Sequence, residues 1–284
     1  MKYLKKFETE AEKTAWLGGS EFVTPNVVLT GDVVGYNLID PASIPLHIEA
    51  IEDLTISFGN TYEYSKDNAT WSSGTSSTVI SASAGEKVYF RARPASQEYG
   101  IGTFTISNGT CNVAGNIMSM VHGSNFKGKI SISTSRQFYQ LFYSNPNIID
   151  ASNLILPATA LSEGCYYNMF SNCSGLVAAP ALPATQLQKL CYRSMFSDCS
   201  SLIAAPELPA TQLLAQSYYS MFNRCSRLKY IKMLATDISA YECLFYWVNG
   251  VASGGTFVKN SAATWTTTGA NGVPSGWTVE TADA

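Results

Sequence analysis

The chain has little charge and little histidine. Only 14% of its 284 residues are Asp, Glu, Lys or Arg, the formal net charge is −3, and there are two histidines. A protein with this balance has no basic field that could hold nucleic acid or an anionic membrane surface. The composition therefore predicts no nucleic-acid partner.

The sequence also has no long apolar run. A membrane-spanning helix needs about 18 or more consecutive apolar residues, and no such run occurs, which predicts no membrane span. The first residues, "MKYLKKFETEAEKTAW", carry acidic residues where a secretory signal needs an apolar core. We expect that another component carries the protein to any outer surface, after assembly inside a cell.

Motifs that mark common enzymes are missing as well. No GxSxG, HExxH, P-loop, GxGxxG or EF-hand spacing occurs, and no CxxC pair is present. His47 and His122 lie far from the cysteines in the sequence, which argues against a zinc site. We predict a protein that is not an enzyme and binds no cofactor or metal. A pair of carboxylates such as Glu163 and Glu207 stays open as an acid and base, since only the fold sets their separation.

The seven cysteines do not have the arrangement of a disulfide framework. Their number is odd, and six of them recur with an internal repeat. Free cysteine behaves as a small apolar residue in protein cores. We predict buried, reduced cysteines, although spacing alone leaves open whether any of them pair.

The most informative feature is a repeat of 26 residues. Three copies align without gaps, "LPATALSEGCYYNMFSNCSGLVAAPA" from Leu156, "LPATQLQKLCYRSMFSDCSSLIAAPE" from Leu182 and "LPATQLLAQSYYSMFNRCSRLKYIKM" from Leu208. A degenerate copy precedes them, and a worn copy starts at Leu234. Atypical end copies around regular ones are typical of stacked repeats, in which each unit buries its apolar face against its neighbours.

Each unit is interpreted as a strand, a proline-bounded turn and a short helix. One face of the short helix, with spacings of three and four residues, is formed by Leu187, Leu190, Cys191, Met195 and Cys199. Ser194, Ser197 and Asp198 fall off this face. Stacking would join these faces into one core. The predicted core residues of the repeats are Cys165, Met169, Phe170, Cys173, Cys191, Met195, Phe196, Cys199, Met221, Phe222, Cys225 and Cys243.

The "CYxxMFxxCSxL…LPAT" unit resembles the BspA-like leucine-rich repeats of surface proteins from gut anaerobic bacteria and their phages. The flanks "GNIMSMVHGSNFKG", "WVNGVASGGTFVKN" and "GVPSGWTV" are similar to those of the same family, so the resemblance covers about residues 45–284. It implies a leucine-rich-repeat solenoid and an adhesive role at a surface. Ser217 departs from the pattern by interrupting one line of cysteines.

Residues 43–133 contain alternating runs such as "LTISF", "KVYFRAR" and "GTFTIS" between turn groups, which predict an antiparallel β-module. Its "YEYSKDNATWSS" stretch resembles a hairpin of small immunoglobulin-like modules that accompany these repeats. Trp71 in this stretch is either a platform for a sugar ring or a core aromatic. Asp67 and Asn68 are interpreted as turn formers, because one such pair falls short of a calcium loop.

The first 17 residues are predicted to form an amphipathic helix. Leu4, Phe7 and Ala11 lie on its apolar side, and lysines lie opposite. So short a helix is not stable alone. It packs on the chain's own β-module or docks in a groove of a carrier protein. The segment also resembles a leader found on proteins of gut phages and their hosts, which implies attachment to a virion or another surface.

Positions that vary between copies are the candidates for ligand contact. Tyr167, Arg193 and Tyr219 follow the constant tyrosines of the three regular copies, and Asn172, Asp198 and Arg224 vary further along. Tyrosine and arginine are enriched at binding hot spots. The alternative is that these side chains are ordinary surface residues. The predicted ligand is a host-surface protein or glycan, with Trp71 as a second candidate contact.

The sequence thus predicts an α+β chain with three parts. Residues 1–42 are an anchor helix and linker, residues 43–133 the immunoglobulin-like β-module, and residues 134–284 the strand-turn-helix solenoid with its cap. The predicted function is non-enzymatic adhesion as a phage virion accessory or fibre-like protein on the virion surface. The alternative is a bacterial cell-surface or secreted adhesin. A homo-oligomer is compatible with either.

Overall fold

The computed structural model divides into two compact units, residues 1–44 and residues 45–284. The part of the chain that the structure describes consists of residues 4–6, 36–38, 40–92 and 101–282. In the first unit, β1 (Leu4–Lys6) pairs antiparallel with β2 (Tyr36–Leu38), and a 3-10 turn follows at Pro41–Ser43.

The predicted anchor helix is wrong at Leu4. This residue lies in β1, opposite Leu38, so its backbone is extended and bonded to another segment. A helix of this length gains too little from its own hydrogen bonds to resist such pairing. The other two predicted anchor residues, Phe7 and Ala11, lie outside the described residues.

The second unit begins with eight strands, and burial alternates along four of them, β4, β7, β8 and β9. In β4, for example, Leu54, Ile56 and Phe58 are buried while the residues between them are half-exposed. Period-two burial is what a sheet with one covered face requires. The strands are β3 (His47–Ala50), β4 (Leu54–Phe58), β5 (Tyr62–Ser65), β6 (Ser72–Gly74), β7 (Val79–Ala82), β8 (Lys87–Arg91), β9 (Phe104–Ser107) and β10 (Cys111–Asn116).

These strands form two sheets that face each other. One has the order β7-β4-β9, and the other contains β10-β3-β8-β5-β6; all of these pairs are antiparallel. Aromatic rings fill the space between the sheets. The ring of Phe104 lies 4.9 Å from that of Phe90, and Phe58 lies 5.2 Å from Tyr62, in edge-to-face contact.

The larger sheet continues into the repeats. β10 pairs in parallel with β11 (Ile148–Asp150) and with β12 (Leu154–Ile155), and a four-residue helix, α1 (Ser119–His122), intervenes. Asn145 adds a second connection, since its side chain accepts from the Ile106 N–H at 2.8 Å and donates to the Phe104 carbonyl at 2.7 Å. The antiparallel strands therefore share a sheet and a core with the repeats.

The repeats do not contain the predicted helices. Within each copy the chain makes overlapping turns in which every fourth residue has positive φ; we call residues 164–173 and their equivalents 190–199, 216–225 and 242–251 the turn ribbons. In the first ribbon these residues are Gly164, Asn168 and Asn172, with φ of 62°, 56° and 63°. Right-handed helical residues have negative φ, so a helix is excluded here.

Backbone hydrogen bonds of the ribbons run alternately within and between copies. The Met169 N–H donates to the Tyr166 carbonyl of the same turn at 3.2 Å. The Tyr166 and Asn168 N–H groups instead donate to the next copy, to the carbonyls of Cys191 at 2.9 Å and Arg193 at 3.0 Å. Half of the backbone donors therefore hold one copy to the next, as in a sheet.

The predicted α+β fold class, with its strand-turn-helix solenoid, is consequently wrong. The described residues are almost all strand and turn, and α1 is their single α-helix. The cause is the spacing of the apolar pairs, which recur strictly every four residues in "CYxxMFxxC". An α-helix has about 3.6 residues per turn, so such pairs would drift around it, whereas a turn every four residues keeps them on one side.

Side chains stack in register from copy to copy. Tyr166 and Tyr192 lie 5.7 Å apart with nearly parallel rings, and Phe170 and Phe196 lie 5.8 Å apart. All twelve predicted core residues of the repeats are buried. Ser197, which the helix interpretation placed outside, is buried too, and Leu190 is only half-buried.

The stack ends in a three-stranded parallel sheet. It consists of β13 (Tyr230–Met233), β14 (Thr256–Asn260) and β15 (Thr278–Ala282), in that order. Trp247 and Val248 occupy the positions of the repeat methionine-phenylalanine pair, and Trp247 is fully buried against Phe257. The buried apolar residues form one cluster that extends from Leu46 to Trp277.

Candidate functional site

Five equivalent positions of successive copies form a line of half-buried side chains, which we call the aromatic row. Adjacent members are in contact: Tyr139 with Tyr167 at 5.2 Å between ring centroids, and Tyr219 with Phe245 at 5.0 Å. Arg193 lies between Tyr167 and Tyr219. The structure thus brings together the three row residues that the sequence predicted, and it adds Tyr139 and Phe245.

The ribbon explains why the row is partly exposed. Each row residue directly follows a fully buried position, occupied by Tyr166, Tyr192 or Tyr218 in the regular copies. Burial raises the pKa of these three hydroxyls well above the ordinary tyrosine value, so they stay neutral. The constant tyrosines are therefore framework, and the residue after each one is available for contact.

Arg193 is the centre of the row. Its guanidinium carbon lies 4.0 Å from the ring centroid of Tyr219 and 5.4 Å from that of Tyr167, both cation–π contacts. Its Nη1 donates to Oε1 of Gln216 at 2.6 Å. Its Nε is buried and has no hydrogen-bond partner among the described residues. Two rings and an amide thus fix the orientation of the guanidinium.

Gln216 connects the row to an acidic residue. While its Oε1 accepts from Arg193, its Nε2 donates to Oε2 of Glu242 at 2.6 Å. The amide therefore separates the positive charge from the nearest carboxylate of this network. A carboxylate that is linked to the guanidinium only through two successive hydrogen bonds compensates its charge less than a carboxylate in a direct ion pair does.

Two exposed tyrosines adjoin the end of the row. Tyr246, 47% exposed, lies 4.3 Å from Phe245 between ring centroids, and Tyr241 is 69% exposed. A hydrogen bond with Glu242 raises the pKa of Tyr241. Neither tyrosine was predicted, because the worn fourth copy has lost the repeat pattern; the signal for both is its dense run of aromatic residues, "AYECLFYW".

Trp71 is half-buried in a different environment. The Arg91 guanidinium lies 4.0 Å from its ring centroid, and Nε of Arg91 forms an ion pair with Glu63 at 2.6 Å. One face of the indole is therefore covered by a fixed cation. In the preceding turn, Asp67 accepts hydrogen bonds from Ala69, Thr70 and Ser65, which lower the pKa of its carboxyl.

A polar groove follows the same stacking direction near the ends of the ribbons. Its volume is about 640 Å³. Asp198 and Arg224 form an ion pair across it at 3.4 Å. The groove is lined by Asn172, Ser174, Asp198, Ser200, Arg224, Ser226 and Gly250. Its charged groups thus compensate each other, unlike Arg193.

The cysteines lack the chemistry of nucleophiles. All seven are buried free thiols. Burial raises the pKa of Cys173 and Cys191 to about 12, so the reactive thiolate is not formed near neutral pH. In three copies the thiol donates to the carbonyl of a phenylalanine in the preceding copy, as Cys199 does to Phe170 at 3.1 Å.

Two further properties concern the described residues. None of their helices has the length and apolarity needed to cross a bilayer. No group of three or more His, Cys, Asp or Glu side chains in this part of the chain is arranged to hold a metal ion.

No protein-family model, no curated protein and no solved structure matches this chain. The resemblance to BspA-like repeats accordingly stays a prediction from the motif alone.

Proposed function

We propose that this chain is a non-enzymatic binding protein that acts in adhesion and uses the aromatic row as its contact surface. The observation that carries the proposal is the alignment of five half-buried side chains, one from each of five successive copies. The frame beneath them is fully buried and hydrogen-bonded from copy to copy. A rigid frame that holds partly exposed tyrosines and an arginine costs little ordering on binding.

The protonated thiols and the unbonded tyrosine hydroxyls both agree with a role in binding. The thiols are protonated because burial raises their pKa, and Cys225, for instance, donates to the Phe196 carbonyl at 3.0 Å. The tyrosine hydroxyls of Tyr167 and Tyr219, in contrast, have no hydrogen-bond partner among the described residues. They are free to bond to a ligand.

The place of display is proposed from resemblance. The similarity of the first residues to leaders of phage-associated proteins favours a virion accessory protein held by a carrier through residues 1–42. A bacterial cell-surface or secreted adhesin is the second candidate, favoured by the likeness of the repeats to surface proteins. Mass spectrometry of purified virions and of bacterial envelope fractions decides between the two.

The test of the binding surface is the triple variant Tyr167→Ala, Arg193→Ala and Tyr219→Ala. We expect it to lose adhesion to host cells and to glycan arrays, because it removes the centre of the row. The matched control removes two tyrosines and one arginine elsewhere, Tyr143→Ala, Arg227→Ala and Tyr230→Ala. Both variants must keep the circular-dichroism spectrum of the parent protein. Equal adhesion by the folded triple variant and the parent would contradict the proposal.

A further inference from the structure

Arg193 has no carboxylate partner among the described residues. Other basic side chains of the chain do have one, such as Arg91 with Glu63 at 2.6 Å and Lys232 with Glu207 at 3.1 Å. A half-buried cation without an opposite charge is costly, because its lost hydration is only partly replaced. The aromatic row therefore holds at its centre a positive charge that is compensated only indirectly, by Glu242 through Gln216.

The contacts of Arg193 leave one terminal nitrogen of its guanidinium, Nη2, for a ligand. Tyr167 and Tyr219 cover its faces, Nε is buried, and Nη1 is bonded to Gln216. Nη2 makes no hydrogen bond to the described residues, and unlike Nε it is accessible to solvent. A guanidinium that lies between two rings and keeps an unbonded terminal N–H group can donate a charge-assisted hydrogen bond to a carboxylate.

We propose that the aromatic row binds a carboxylate-bearing polysaccharide, whose acidic group contacts Arg193 and whose hydroxyls contact Tyr167 and Tyr219. This inference rests on the binding role proposed for the row. Hydrogen bonds from the two tyrosine hydroxyls would flank the ion pair and fix the position of the sugar chain.

The periodicity of the stack favours a linear sugar polymer over an acidic protein. The buried rings beneath the row are 5.6 Å apart from Phe138 to Tyr166, 5.7 Å from Tyr166 to Tyr192 and 6.1 Å from Tyr192 to Tyr218, a repeat similar to the length of one pyranose unit in a chain. The row is one side chain wide and follows the stacking direction. A stable protein interface covers about 800 Å² on each partner, which is broader than a single line of side chains.

The ring faces also limit how a sugar can bind. Tyr219 stacks with Phe245 at 27° on one side and contacts Arg193 on the other. A sugar ring therefore has little access to the face of Tyr219 and meets its edge and hydroxyl. This geometry favours recognition through polar and charged groups, and it makes the acidic group of the ligand decisive for affinity.

Isothermal titration calorimetry with oligogalacturonate and with the same oligosaccharide as its methyl ester tests the proposal. We expect the acidic oligosaccharide to bind at least about tenfold more tightly than the ester, because a charge-assisted bond to Arg193 is lost in the ester. Arg193→Gln should weaken binding of the acid by a similar factor and leave the ester unaffected. Arg227→Gln, which removes an exposed charge outside the row, should change neither.

The outcomes separate this inference from the binding role itself. Equal affinity for acid and ester, with both lost in Tyr167→Ala and Tyr219→Ala, would overturn the acidic ligand but keep the row as a sugar-binding surface. Binding of polyglutamate but not of oligogalacturonate, with dependence on Arg193, would assign the row to an acidic protein and overturn the polysaccharide. Absence of binding to oligogalacturonate and polyglutamate would overturn the inference, while the adhesion assay still tests the proposed function.

Discussion

The cysteines illustrate how burial sets chemistry at the residue scale. Cys173, Cys199 and Cys225 form a line through the stack, and each thiol donates to a carbonyl of the preceding copy. Desolvation is the largest cause of their raised pKa values. At the equivalent position of the other line, Ser217 is fully buried and its hydroxyl accepts from the Leu214 N–H at 3.3 Å. Both residue types act as small core groups.

We expect the native protein to resist alkylation of its cysteines. Iodoacetamide at about pH 8 should add nothing to the folded chain, because the thiols are buried and protonated. In urea without reductant all seven should react, as read from the intact mass. Fewer than seven adducts in urea would indicate disulfides. Rapid labelling of the native protein would contradict the burial of the seven thiols.

Stability should fall at alkaline pH. Burial raises the pKa of Cys173 and Cys191 from 9.0 to about 12, so above pH 9.0 the unfolded chain loses protons that the folded chain retains. The stabilisation is complete below pH 9.0 and is lost as the pH rises toward 12. Thermal unfolding followed by circular dichroism should show a falling Tm over this window. The Cys199→Ala variant, with one thiol fewer, should have a shallower slope.

At the scale of elements, the turn ribbon replaces the helix that the sequence predicted. Its left-handed positions are occupied by glycine, asparagine, serine and other residues at every fourth place. Left-handed backbone costs an L-residue about 1–2 kcal/mol, and glycine is free of that cost. The ribbon tolerates the strain because each turn also donates hydrogen bonds to the next copy.

Substitutions at Ser194 distinguish the ribbon from a helix. Its φ is 51°, so Ser194→Gly should raise the free energy of unfolding by about 1 kcal/mol, and Ser194→Ala should leave it nearly unchanged, because serine and alanine both carry the Cβ atom that this backbone disfavours. A helix would give the opposite order, with alanine the most stable. Urea unfolding of the two variants gives the free energies. Exposed Ser226, which lacks positive φ, is the control and should prefer alanine to glycine.

At the scale of the whole molecule, the antiparallel sheets and the repeats are joined by β10. Its parallel pairing with β11 and β12 and the buried amide of Asn145 connect the two parts through hydrogen bonds. The apolar core is continuous across this junction. Residues 45–284 should therefore unfold as one cooperative unit.

Substitution of Gly115 in β10 tests whether this junction makes residues 45–284 one cooperative unit. Its φ is 81°, and a Cβ atom there would collide with the Pro45 carbonyl, so Gly115→Ala should destabilise by about 3 kcal/mol or more. Gly85→Ala is the matched control, with a φ of 84° and nothing near the added methyl group, and should cost about 1 kcal/mol. The near-ultraviolet signal and the far-ultraviolet signal should shift together in urea. Two separate transitions would refute a single unit.

The sequence by itself determined the period and the register of the repeats and most of their buried positions. The gapless copies, together with the worn copy that holds Cys243, identified the twelve core residues. They also brought Tyr167, Arg193 and Tyr219 into one line, because equal spacing in a stack places equivalent residues side by side. It also identified the alternating strands between residues 43 and 133. These features depend on local pattern alone, so they are readable from one chain.

Only the tertiary structure decided how each repeat folds. The hydrogen bonds that make ribbons rather than helices join residues about one copy apart, such as Phe170 to Met195, and no local pattern contains them. The same holds for the charge at Arg193, whose lack of a carboxylate depends on Gln216 standing between it and Glu242. Neighbouring copies set both features, because backbone groups and charges find their partners in space and not along the chain.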